Sequence, residues 1–142
     1  MRRLLLTLPL VLAACAPETP AAPETAAGAA LFATHCASCH GAEGRGDGPA
    51  AEDLGAVPAD LTRIAARRDG VWPMLEVMAI VDGYARRTDA RPGMPVVPEV
   101  AEGPTVEFET GNGMVQQTPA NLLAIARYLE TIQEPQPTRY VP

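Results

Sequence analysis

The chain has 142 residues, with 12 Gly, 15 Pro, six aromatic residues and a formal net charge of −6; every basic residue is Arg. That length suggests one domain with tails, and a core so thin in aromatics calls for a staple such as a metal or cofactor. The acidic balance excludes a nucleic-acid binder, which needs clustered positive charge, and points to partners with a basic docking face.

Residues 1–14 carry Arg2 and Arg3 followed by an apolar run. The run is too short to span a bilayer, which takes about 20 apolar residues, and it reads as a secretory signal peptide. It ends in Leu12-Ala13-Ala14-Cys15, similar to the bacterial lipobox, in which the chain is cut before a cysteine that then carries lipid. The alternative is an ordinary signal peptide with a chance cysteine. Either way the expected destination is outside the cytoplasm, and with lipid on Cys15 it is the periplasm, anchored to a bacterial membrane.

Residues 15–26 follow as a Pro/Ala-rich stretch, APETP then APETA, expected to be an extended and solvated tether. Residues 27–134 are expected to be the folded domain and 135–142 a flexible tail. The domain reads as all-α with four helices. The first, residues 26–35, runs into the cysteines. The second, 59–67, has Asp60 as its N-cap. The third, 73–82, carries Met74, Val77, Met78 and Val81 at helical spacing and ends at Gly83. The fourth, 119–133, is capped by Thr118, starts with Pro119 and has an apolar stripe of Leu122, Ile125, Leu129 and Ile132. Between the last two, Val106 and Phe108 alternate with glutamates before "GNG", which predicts a short β-hairpin.

The stretch HCASCHG, residues 35–41, carries the chemistry. With Cys15 lipidated, Cys36 and Cys39 are the remaining pair. A structural zinc site or an iron–sulfur cluster needs about four ligands, and the chain has no second Cys/His pair. A thioredoxin-like dithiol would follow a strand in a βαβ unit, whereas this one follows a predicted helix. Cys-x-x-Cys-His is the signature of covalent c-type haem attachment: two thiols add to the two vinyl groups of one haem, and the adjacent histidine, His40, binds its iron. The cofactor expected is therefore a single haem c.

An electron carrier needs a ligand on the other face of the iron. His35, Met74, Met78, Met94 and Met114 are the candidates. His35 is held beside the attachment turn, Met74 and Met78 read as helix core, and Met114 adjoins the hairpin tip. Met94 lies in RPGMPVVP, a loop stiffened by three prolines and far along the chain from His40, and it is the expected ligand.

From these residues the chain resembles a class I cytochrome c of the bacterial monohaem type over about residues 26–133. Gly28, Phe32 and Cys36 fall four apart as in that family's N-terminal helix, and Tyr128 in "ARYL" matches the aromatic that packs there with Phe32. "GMP" around Met94 matches the axial-methionine loop. Gly48-Pro49 is similar to the segment whose proline carbonyl accepts a hydrogen bond from the ligand histidine, which implies that Pro49 fixes the His40 tautomer. "PADLT", residues 58–62, is similar to a stretch that lies beside the haem in bacterial members. The insert 99–117 is longer than in the shortest members, and the lysine-rich docking ring of mitochondrial relatives is absent, so their partners are not implied.

Other features have plain readings. "RGD" at 45–47 is a chance match to an adhesion tripeptide, and the glycines of GAEGRGDG let the chain turn tightly. Trp72, Arg63 and Arg91 are candidate partners for haem propionates, with ordinary structural roles as the alternative. The function expected is a tethered monohaem carrier of single electrons between redox proteins, with no substrate of its own and no enzymatic activity. A dedicated haem subunit of a periplasmic dehydrogenase or reductase, and a haem ligand-binding sensor, are the alternatives. A peroxidase would usually carry two haem motifs.

Overall fold

A computed structural model describes residues 23–84 and 94–141. The expected signal peptide, Cys15 and most of the tether lie outside the described residues, as does Arg91.

Helix α1 spans Pro23–His35, so it starts inside the stretch expected to be tether. Pro23 suits a first helical position, and Glu24 in the first turn complements the helix dipole. A short helical turn, α2 (Ala37–His40), follows directly. β1 (Val71–Pro73) leads into α3 (Met74–Val81), which buries Met74, Val77 and Met78 and stops before Gly83 at φ 79°. After a single turn, α4 (Pro98–Ala101), the chain forms the expected hairpin. β2 (Thr105–Glu109) and β3 (Val115–Pro119) pair antiparallel, with Val106 opposite Thr118 and Phe108 opposite Gln116. Helix α5 (Ala120–Thr131) then crosses α1.

The crossing of α1 and α5 depends on Gly28, where a Cβ would collide with the carbonyl oxygen of Ala124. The close approach brings Phe32 and Tyr128 together, with ring centroids 5.3 Å apart. Around this contact the core gathers Trp72 from β1, Val77 and Met78 from α3, Val100 from α4, Phe108 from the hairpin and Leu122, Ile125 and Leu129 from α5.

Four details differ from the sequence reading. Thr118 does not cap α5; it is buried in the hairpin, and Pro119 stands at the N-cap without a side-chain hydrogen bond. The expected helix at 59–67 is instead two 3-10 turns, Leu61–Arg63 and Ala66–Arg68, with Asp60 capping the first by accepting from the Thr62 N–H. The tail is ordered through residue 141: Thr138 N–H donates to Gly70 O, and β4 (Arg139–Val141) pairs parallel with β1, Trp72 opposite Tyr140. The described residues are thus mainly helical but carry two small two-stranded sheets, not one hairpin. No helix among them is long and apolar enough to cross a membrane.

Candidate haem site

Helical bonding continues almost unbroken through the motif. Cys36 N–H donates to Phe32 O at 2.9 Å, and His40 N–H donates to Cys36 O at 2.9 Å. The turn between α1 and α2 therefore sets Cys36, Cys39 and His40 on a rigid base. The glycine-rich loop wraps this base: Gly46 N–H donates to His40 O, Gly48 N–H to Cys39 O and Ala50 N–H to Ser38 O. Gly46 itself has φ 85°, and a side chain there would strike Pro58 O, so this loop and the 58–65 segment lie in contact.

Both motif cysteines are half-buried and free of disulfide bonds. Burial, and next the neighbouring Cys39, push the Cys36 thiol up to about 11. Such a site disfavours a thiolate and suits a neutral sulfur, the form a thioether has.

The ring of His40 is oriented from behind. Its Nδ1 lies 3.0 Å from the carbonyl oxygen of Ala59. A carbonyl only accepts, so Nδ1 carries the proton and Nε2 keeps its lone pair for a metal. This corrects the role expected of Pro49. The carbonyl that fixes the tautomer comes from Ala59 in the PADLT stretch, while Pro49 is exposed beside the motif's backbone.

Two adjoining cavities share Cys36, His40, Val81, Met94 and Ile125 in their walls. The smaller, of about 160 Å³, reaches the surface past Leu54, Val57 and Pro95 and also touches His35 and Cys39. The larger, of about 360 Å³, runs inward past Phe32, Leu61, Ile64, Val77 and Leu129. Together they fall within the roughly 300–1,000 Å³ of a cofactor pocket. Of the other methionines, Met74 and Met78 are buried in the core and line neither cavity, and Met114 is 63% exposed on the hairpin.

The charged groups at the larger cavity are Arg67 and Arg68, not the expected Arg63. Arg67 Nη1 donates to Asp60 O at 2.9 Å, and Arg68 pairs with Glu76. Trp72 is 1% exposed, and its indole N–H finds no acceptor among the described residues. A buried donor left unpaired is costly, so such a group points to a polar partner beyond the described residues.

Comparison with known families names the cofactor. The family model described as cytochrome c matches residues 25–133. The chain belongs to the cytochrome c family. No curated protein and no solved structure gave a match. As a class I c-type cytochrome it binds haem c covalently and serves haem-based electron transfer. The residues of the cytochrome fit that group: a thiol pair in a helical turn, a histidine with its metal-binding nitrogen free, apolar walls, and two arginines at the larger cavity.

Three features of the cytochrome's site escaped the sequence. The Ala59 acceptor is a backbone atom and leaves no side-chain signature. Arg67 ends the helix expected over 59–67 and Arg68 lies just beyond it, and the sequence reading singled out only Arg63. Gln133, buried at the exit of α5, stands outside the apolar stripe that defined that helix.

Proposed function

We propose that this cytochrome is a monohaem electron carrier with His40 and Met94 as the axial ligands of the iron, and that it does no chemistry on a substrate. The observation that carries the reading is that His40 and Met94 share the walls of the same two apolar cavities, beside Cys36. Haem c supplies an iron that gains and loses one electron, and methionine ligation raises its potential relative to two histidines.

The protein's part is to hold and tune. Cys36 and Cys39 anchor the group through thioethers. Ala59 O keeps His40 in the tautomer that offers Nε2 and raises its basicity. Val77, Ile125 and Leu129 exclude water, which limits the rearrangement that accompanies a change of charge. The Arg67 and Arg68 guanidiniums, in the wall of the larger cavity, would meet the propionates. The short distance to the surface past Leu54 and Val57 gives partners access to the cofactor edge.

We also propose the setting: residues 1–14 removed, lipid on Cys15, and a tether that holds the domain near a bacterial membrane on its periplasmic side. There it would meet redox proteins with a basic docking face. A sensor would keep one face of the iron open, and carbon monoxide separates the two readings. The native ferrous protein is expected to bind carbon monoxide slowly or not at all in stopped-flow spectroscopy. Rapid binding at the rate of an open five-coordinate site would overturn the carrier reading.

A further inference from the structure

Gln133 follows α5 and is 2% exposed. Its side-chain Oε1 accepts from Ala65 N–H at 2.9 Å, and its Nε2 donates to Leu61 O at 2.8 Å and to Leu129 O at 2.7 Å. Leu61 O and Ala65 N–H are the two groups that a continuous α-helix at 59–67 would have bonded to each other. The amide of Gln133 has taken the place of that bond. Insertion of a side chain into the i to i+4 ladder is a known cause of helix distortion, and here the segment is two 3-10 turns.

The consequence reaches the site. Ala59, whose carbonyl holds His40, lies two residues before Leu61. From Leu61 on, the segment is pinned at several points. Leu61 N–H donates to Gly44 O at 2.7 Å, Thr62 O accepts from Glu134 N–H at 2.8 Å, and Asp60 caps the turn. Gln133 supplies two further anchors, to Leu61 O and Ala65 N–H, from a single planar group, and at Ala65, 0% exposed, an unpaired N–H could not reach water.

We propose that Gln133 is a positioning residue for the electron-transfer site: by bridging Leu61 O and Ala65 N–H it sets where Ala59 presents its carbonyl, and so the strength of the hydrogen bond to His40. The proposal rests on His40 as an iron ligand. A weaker bond at Nδ1 makes the imidazole a poorer electron donor and disfavours ferric iron, so loosening the clamp raises the reduction potential.

The test uses the holoprotein with Gln133→Met, which keeps the volume and adds no charge, beside Arg45→Gln, which breaks only the exposed Arg45–Glu134 ion pair nearby. Two quantities are read: the reduction potential, and the exchange rate of the His40 Nδ1 proton in the ferrous protein by NMR. Gln133→Met is expected to raise the potential and to speed exchange by about tenfold, the scale of one lost buried hydrogen bond, while Arg45→Gln changes neither. If Gln133→Met lowers the melting temperature but leaves potential and exchange as in the wild type, Gln133 is a structural residue only and the proposal fails. Should Gln133→Met not fold, Gln133→Glu retains the bond to Ala65 and loses both donors; unchanged His40 exchange in that variant likewise overturns the proposal, and faster exchange supports it. Failure of the underlying ligand assignment is visible separately, because the wild-type His40 ring would then lack haem-shifted resonances.

Discussion

Trp72 illustrates how a single side chain can report on a cofactor. Its ring fills the core at 1% exposure, yet its N–H has no acceptor among the described residues. If a propionate accepts that hydrogen bond, Trp72→Phe keeps the apolar packing and removes the donor. A propionate no longer hydrogen-bonded leaves more negative charge near the iron and favours ferric haem. Redox titration is therefore expected to give a lower potential for Trp72→Phe than for wild type; an unchanged potential would contradict the role. At this scale the sequence was legible where chemistry resides in side chains. The spacing of Cys36, Cys39 and His40 reveals itself directly. The Ala59 carbonyl does not, because any residue can supply it, and Pro49 attracted the role through the likeness of Gly48-Pro49 to the family's proline segment. Arg67 and Arg68 were missed for a related reason: which arginine faces a cavity depends on how the 61–68 segment turns, and two 3-10 turns rotate side chains differently from one helix.

Between elements, the contact of α1 with α5 fixes the frame on which the motif stands. Gly28 has no room for a side chain against Ala124 O. Gly28→Ala would raise helix propensity by about 1 kcal/mol but force the helices apart. Overpacking against backbone costs typically 1–3 kcal/mol and here outweighs the propensity gain. Denaturant unfolding of the holoprotein is expected to show a net loss of about 1 kcal/mol or more, and a stabilised variant would refute the close approach. Of the two, α5 was readable because its apolar stripe repeats locally. The C-terminal strand was not: β4 owes its order to β1, some 68 residues earlier, with Thr138 bonded to Gly70, and EPQPTRYVP taken alone has the composition of a free tail. Thr118 was similarly ambiguous. A Thr-Pro pair before an apolar stripe signals a cap, but pairing with Val106 in the hairpin claimed it first.

The molecule as a whole is acidic, at −6, with no lysine. Long-range attraction to a basic partner accelerates encounter and is screened with a Debye length of about 10 Å at 0.1 M salt. Bimolecular electron transfer with a cationic redox protein is accordingly expected to slow as ionic strength rises, and with an anionic one to quicken, measured by stopped-flow absorbance. A rate indifferent to salt with both would show that the net charge does not guide docking. What the whole fold adds to the sequence is convergence: the motif at 36–40, the proline-bound Met94 and the α5 residues Ile125 and Leu129 meet around one space. The ligand pair His40 and Met94 is the claim on which the electron-carrier reading depends. It is tested most directly by the ferric optical spectrum, where a sulfur–iron(III) bond gives a weak red charge-transfer band. The band is expected in the wild type and in Met114→Ala, whose side chain is exposed, and expected to vanish in Met94→Ala. A band that survives in Met94→Ala would contradict the assignment.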